Sequence, residues 1–285
     1  MTALRPPAVR LTAASPPPLA IPMRPSRRGR RIASIVITAV VIVCFWAVDV
    51  NWGRLGALPG EIVRYVWLMF SAPDWTKLPE ALLQTWRSIA MAWSGTVIGA
   101  IIALPLGFLA SRGYAPAPVR WVLRVLFGAI RSVPEVIVAI VILSVTGLTP
   151  LTGALALAVS SVANLGKWGY ESIERAAPGP IEAVRAAGGS SAQVIRWGVW
   201  PTVAPDFISF WLYRFEISVR SSAVLGLIGV GGIGDMLTSY AQYRLWPVVG
   251  VLLIVVVVAT MSIDAVSGAI RRRITEGAGA RELGR

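Results

Sequence analysis

"EAVRAAGGSSAQVIRWGVWP", residues 182–201, is a polar module set among runs of apolar sequence. The "GP" at 179–180 puts proline at a first helical position, where its missing N–H is no loss. Residues 181–187 then read as a short helix, with Glu182 in the first turn, where the helix dipole favours a carboxylate. Gly188 and Gly189 suit the left-handed backbone that ends a helix. Ser190 or Ser191 can cap a second helix, in which Val194, Ile195, Gly198 and Val199 form one apolar stripe. Pro201 is expected to disrupt that helix. The module therefore reads as helix, glycine turn, helix, showing a small apolar face to water.

The surroundings are of a different kind. Of 285 residues, 55% are hydrophobic and 14% charged, and the mean hydropathy is +0.68. Soluble domains carry about 25% charged residues. Six stretches approach the ~20 apolar residues that cross a bilayer core: 33–50, 82–109, 122–145, 151–165, 207–230 and 245–269. The expected class is an all-α, multi-pass membrane protein with six transmembrane helices. Residues 1–31 form a Pro- and Arg-rich arm expected to be disordered. Residues 32–80 hold the first span and a linker, in which "EIVRYVWLMF" suggests an interfacial helix. Residues 81–273 form the main domain, with the polar loop at 166–205, and 274–285 a tail.

The net charge of +13 is carried almost wholly by arginine, since lysine occurs only at 77 and 167. These arginines cluster beside the apolar spans, as the positive-inside bias requires, so nucleic acid is not the implied partner; the lipid bilayer is. Threading six spans alternately puts the amino-terminal arm, Arg112, Arg120, Arg124, the 166–205 loop and Arg271 to Arg273 on one side. That side is the cytoplasm, with both termini in it. One cysteine, Cys44, and no histidine exclude a disulfide framework, the usual zinc sites and His-dependent triads, so no metal site is expected.

On its residues alone the module is either an interfacial loop packed on its own bundle or a plug for a partner's groove. A DNA-binding helix-turn-helix would need a basic recognition face, which it lacks. The pattern Glu182-Ala183-x-x-x-Ala187-Gly188, followed by Ile195 and Pro201, resembles the "EAA" loop of ABC importer permeases. Val184 stands where that pattern has a third alanine, and Trp200 where it has leucine. The resemblance narrows with "YESIERAAPGPIEAVRAAGGS" at 170–190, "YRFEISVRSSAVLGLIGVGGIG" at 213–234 and "RSVPE" at 131–135. These are similar to the phosphonate-type permeases, the PhnE family, over about residues 80–273. That resemblance implies the type I (MetI-like) permease fold in a bacterial inner membrane. It also implies a permease dimer, two ATPase subunits holding ATP and Mg, and an external substrate-binding protein. The 182–201 helices would be coupling helices seated on the ATPase, with Glu182, Ala183, Ala187, Gly188, Ser190, Ile195 and Pro201 as contact residues. The cargo would be phosphonate, phosphate or phosphite, and the chain itself would be no enzyme.

Charges inside the spans need an account, because intramembrane charge is costly and faces protein or water. At 100° per residue Glu216 and Arg220 share a helix face and could pair, while Arg214, Ser218 and Ser221 share another. Arg131 and Glu135 stand one turn apart around Pro134. These seven are either structural ties or residues of a pathway or gate, where guanidinium can hold an oxyanion bidentately. Ser160, Ser161 and Asn164 read as interhelical hydrogen-bond formers, and Asp264 as a helix-end tie.

"GVGGIG", residues 229–234, matches G-x-G-x-x-G in form only. The dinucleotide fingerprint needs a strand before it and an α/β unit around it. Gly229, Gly231, Gly232 and Gly234 instead suggest a tight turn or reentrant backbone on the outer side. No Walker A sequence occurs, so energy for transport would have to come from a partner. The rival classes are an ion-coupled secondary transporter or channel, whose signature would be mid-membrane carboxylates, and a membrane scaffold.

Overall fold

The structure is a computed structural model that describes residues 27–47 and 52–283. Every regular element among them is helical. The chain divides into two units, residues 1–60 and 61–285. The first unit contains α1, Arg27–Ala47, and the start of α2, Trp52–Phe70. From 28 onward the side chains of α1 are exposed, which suits a helix surrounded by lipid. Of the arm expected to be disordered at 1–31, residues 1–26 lie outside the described residues, and 27–31 are not disordered but form the start of α1.

Among the described residues, the second unit takes up the remainder of α2 and nine further α-helices, with a 3-10 turn at Trp75–Lys77 and a π-helical turn at Val194–Val199. In order they are α3 (Leu78–Ala110), α4 (Ala117–Ser132), α5 (Glu135–Thr146), α6 (Pro150–Arg175), α7 (Pro178–Ala186), α8 (Ser191–Gln193), α9 (Trp200–Gly226), α10 (Ile233–Gln242) and α11 (Trp246–Leu283). The expected linker helix "EIVRYVWLMF" is the second half of α2. It meets α11 so closely that a Cβ on Gly250 would fall 2.1 Å from the Met69 carbonyl oxygen.

The bundle is organised on the pair α3 and α6. Gly95, Gly99, Ala103 and Gly107 recur every fourth residue on α3, and all four are buried. That spacing lays small residues along one helix face and lets a second backbone approach. The partner face on α6 is Ala154, Leu157, Ala158, Ser161 and Gly166. A Cβ on Gly95 would sit 2.7 Å from the Ala154 carbonyl oxygen, and one on Gly99 2.4 Å from the Ser161 Cβ. Gly166 in turn admits the Phe127 ring from α4, whose atoms would come within 2.9 Å of an added Cβ. A cluster of Ala92, Ala139, Leu157, Phe215, Val219 and Val230 joins α3, α5, α6 and α9 beside this seam.

The expected third span, 122–145, is not one helix. It breaks at Val133–Pro134 into α4 and α5, which meet at 94°. Val133 is extended at φ −92° and ψ 125°, the conformation that a following proline imposes by steric clash. Among the described residues, three helices are long and apolar enough to cross a membrane: 28–47, 75–110 and 246–274. The bent pair would make a fourth if counted as one span. The other two expected spans lie in α6 and α9. At 26 and 27 residues each is ~40 Å long at 1.5 Å per residue; α6 carries its charges only at its end, from Lys167 to Arg175, and α9 from Asp206 to Arg220, and each buries much of its surface inside the bundle. The link from α9 to α11 contains α10, and α11 runs past Arg271 to Arg273 rather than stopping there.

Candidate functional site

Two places collect the residues singled out by the sequence. The first is the module at 178–201. Its helix α7 starts at Pro178, earlier than expected, and caps at Ala187. Gly188 has φ +77°, the left-handed region that a side chain disfavours. The Gly188 N–H donates to the Arg185 carbonyl at 2.9 Å, and the Gly189 N–H to that of Val184 at 3.0 Å, so the last carbonyls of α7 are satisfied. Ser190 then opens a capping box. Its N–H donates to Gln193 Oε1 at 2.7 Å, and the Gln193 N–H donates back to Ser190 Oγ at 3.4 Å.

Two expectations fail here. Pro201 does not end the second helix. Residues 194–199 form a π-helical turn that runs directly into α9, and Pro201 sits in the first turn of α9, where its missing N–H does no harm. Nor does the apolar stripe face water. Val194, Gly198 and Val199 are buried and Ile195 half-buried. Val199 packs with Ile173, Val203, Phe108 and Ile181 at the ends of α3 and α6. An added Cβ on Gly198 would meet the Ile181 Cα at 3.1 Å, so α7 and the π turn cross in close contact. What remains open is a different surface: Glu182, Ala183, Ala187, Gly188 and Ser190 are exposed, as is Trp197. Behind it lies a cavity of about 320 Å³ lined by Arg112, Tyr114, Glu174, Ile181, Glu182 and Arg185. Burial pushes the Tyr114 hydroxyl pKa up, an effect that the neighbouring Arg185 charge partly opposes.

The second place is a polar cluster inside the bundle, where α5, α6 and α9 meet. Arg214 on α9 is 4% exposed. Its guanidinium is ion-paired with Glu135 and donates to Ser160 Oγ at 2.9 Å and Ser161 Oγ at 3.1 Å. Ser160 Oγ also donates to Glu135 Oε1 at 2.8 Å, and Ser221 faces the same carboxylate. Arg131 Nε donates to Asn164 Oδ1 at 3.1 Å, and Asn164 Nδ2 to the Ser160 carbonyl at 2.9 Å. Ser218, one turn beyond Arg214, is fully buried with no hydrogen-bond partner for its hydroxyl among the described residues. The cluster contains two cations and one anion. Its donors converge as a carboxylate or oxyanion requires.

The expected local pairs give way to pairs between helices. Arg131 and Glu135 do not pair, because the 94° break at Pro134 removes the continuous helix on which i, i+4 residues stack. Glu216 and Arg220 do share a helix, yet each turns to an opposite charge on α11. Glu216 pairs with Arg271, while Arg220 pairs with Asp264 at 3.0 Å. Asp264 is therefore a tie to α9. Sequence reading missed Glu174, which joins Arg124 and the Arg112 N–H across the 110–117 turn. It also missed Arg271 as a partner, reading it only as a topological signal. Ser160, Ser161 and Asn164 make the interhelical bonds expected of them.

The glycine run is a tight turn. Gly229, Gly231 and Gly232 have φ of +87°, +90° and +83°. Gly234 is needed for space instead, since its Cβ would lie 1.8 Å from the Ala223 carbonyl oxygen. The turn is pinned to α3 where the Ile233 N–H donates to Ser88 Oγ at 3.0 Å. Among the described residues no group of three His, Cys, Asp or Glu side chains could hold a metal ion.

Comparison with known proteins places this geometry. The phosphite transport permease PtxC of Stutzerimonas stutzeri is 39% identical over 201 residues, 70% of this chain and 73% of that protein. A second permease from that organism, HtxC, described as a putative phosphite transport protein, is 33% identical over 255 residues, 88% of this chain and 89% of the relative. Among solved structures, the inward-facing MetNI methionine ABC transporter aligns with a TM-score of 0.62 at 19% identity. It covers 70% of this chain and 99% of that one, so the two share a fold. A family described as "binding-protein-dependent transport system inner membrane component" matches residues 95–276, which include the module, the polar cluster and the glycine turn. The chain belongs to the family of binding-protein-dependent transport system inner membrane components.

Proposed function

We propose that this chain is the transmembrane permease subunit of an ATP-driven importer for a phosphonate-type oxyanion, with phosphite, phosphate and phosphonate as the candidate cargoes. The family match over 95–276 carries the reading, supported by two relatives named as phosphite transport permeases. The buried Arg214 in its cradle of hydroxyls is the chemistry such a cargo calls for. The functional assembly is two copies of this chain, two ATPase subunits with ATP and Mg, and an external binding protein that delivers the cargo near the 229–234 turn. Six crossings, with both termini and the module in the cytoplasm, satisfy the arginine distribution; 1–31 is then the cytoplasmic arm, 81–273 the permease domain and 274–285 the tail. The exposed residues Glu182, Ala183, Ala187, Gly188 and Ser190 form the surface that docks on the ATPase. Ile195, half-buried in the π turn, and Pro201, exposed in the first turn of α9, complete the contact set. Alternating access follows when nucleotide favours one of two states through differential contacts at that surface. Arg131, Glu135, Arg214, Glu216, Ser218, Arg220 and Ser221 are the pathway or gate residues.

The test is uptake of labelled phosphite, phosphate and methylphosphonate by cells expressing the whole complex, with each anion competing against the others. Uptake should be lost when the partner ATPase is inactivated. Uptake surviving that inactivation would assign the chain to ion-coupled transport. Absence of uptake with assembly intact would make it a scaffold.

A further inference from the structure

The ion pair inside the bundle has a chemistry that an oxyanion pathway can use. Arg214 is 4% exposed and Glu135 19%, so the carboxylate lies on the more open side of the pair. The two residues stand on different elements. Arg214 is midway along α9, held by Ser160 and Ser161 of α6. Glu135 is the first residue of α5, next to the Val133–Pro134 break where two helices meet at 94°. Backbone torsions can change at such a break without unravelling a helix. A carboxylate and a phosphonate compete for the same face of a guanidinium, because both present two oxygens to its paired N–H groups. Ser160 can donate to either. Arg131 and Asn164 add a second guanidinium and an amide along the same network. Arg131 is exposed, whereas the buried Arg214 guanidinium already holds the Glu135 carboxylate, so an oxyanion can take that face of Arg214 only where the carboxylate gives way.

We propose that Glu135 is a built-in counter-anion, whose carboxylate occupies Arg214 in the cargo-free chain and is exchanged for a tetrahedral oxyanion as the cargo passes. This rests on the oxyanion reading above and goes beyond it, because it names how the site releases what it binds. A buried arginine without a rival would retain its ligand. With Glu135 returning to it, the guanidinium is never left without a counter-charge, and cargo is expelled by competition. No covalent step is involved.

The experiment uses the full chain with its ATPase partner in phosphate-free nanodiscs, titrated with phosphite and methylphosphonate, with chloride as control. Tryptophan fluorescence reports binding, since Trp168 and Trp211 lie on α6 and α9. Glu135→Gln keeps the shape and removes the charge. It should tighten oxyanion binding at least tenfold over wild type and slow release during uptake, and adding Arg214→Gln should abolish the gain. Should Glu135→Gln fail to fold, Glu135→Asp retracts the carboxylate by one methylene and should give a smaller gain of about threefold. Affinity unchanged within twofold in the folded variant, or a gain that survives loss of Arg214, overturns the counter-anion. Failure of the oxyanion reading looks different: the wild-type complex shows no ATPase-dependent uptake of either probe, and both proposals fall together.

Discussion

Gly99→Ala places a single methyl group where the packing of α3 on α6 and the polar cluster are the same object. The added Cβ would lie 2.4 Å from the Ser161 Cβ, about 1 Å short of ordinary contact, and 3.1 Å from the Ala158 carbonyl oxygen. Neither neighbour is the flexible end of a side chain, so α6 must move as a helix. Overpacking of this kind costs ~1–3 kcal/mol. Ser161 also holds Arg214 at 3.1 Å, and a displacement of ~1 Å breaks that bond, adding ~1.5–3 kcal/mol for a hydrogen bond to a charged group. The better helix propensity of alanine offsets ~1 kcal/mol. The net loss is roughly 2–5 kcal/mol. At ~2–4 °C per kcal/mol for a chain of this size, the thermal midpoint should fall by roughly 4–20 °C. Thermal unfolding of the purified chain in detergent measures it, with uptake by the complex measured in parallel. Gly107→Ala is the internal control, because its Cβ would find nothing closer than 3.6 Å. A Gly99→Ala protein that melts and transports like wild type would refute the reasoning, as would equal destabilisation by Gly107→Ala.

Three further outcomes are expected. Glu182→Arg should abolish co-purification of the ATPase subunit while leaving the thermal midpoint of the chain within ~2 °C, since Glu182 is exposed; retained co-purification would remove Glu182 from the docking surface. Gly188→Ala should cost ~1 kcal/mol through its positive φ, and Gly188→Leu should also block docking; a thermal midpoint unchanged by either substitution would contradict the left-handed cap. Arg220→Ala should lower stability by less than ~1 kcal/mol, because the pair with Asp264 is about half exposed on both sides. Glu216→Ala, which strips a largely buried pair, should cost more; the opposite order in thermal unfolding would invalidate the ranking.

The module was legible because caps are local. Gly188 and Ser190 satisfy backbone groups within a few residues of themselves, and their types announce it, whereas Gln193, which closes the capping box, was not read. The direction of its apolar stripe was not legible. Val194, Gly198 and Val199 turn inward because Ile173, Val203 and Ile181 are there to receive them, and those neighbours are brought by the fold. Intramembrane charges were easy to find and hard to pair. The helical period offered Glu216 with Arg220, but Arg271 stood 55 residues away with the same chemistry. The break at Pro134 was visible as a proline, yet hydropathy ran straight across it and favoured one span. The small-residue spacing of Gly95, Gly99, Ala103 and Gly107 was present in the sequence as a four-residue period, and it marks the seam on which the bundle is organised.

The π-helical turn at 194–199 leads into α9 with no loop between them. From Ile195 to Arg214 the backbone is one continuous helical rod, ~28 Å long at 1.5 Å per residue, with Pro205 inside it. A π turn holds one residue more than the α-helix would, and expelling it rotates everything beyond by ~100°. In the proposed assembly the rod has one end under the docking surface and Arg214 along its length. A slip of one residue at that end would therefore be a turn of the key at the guanidinium, carried past Pro205 by continuous helix.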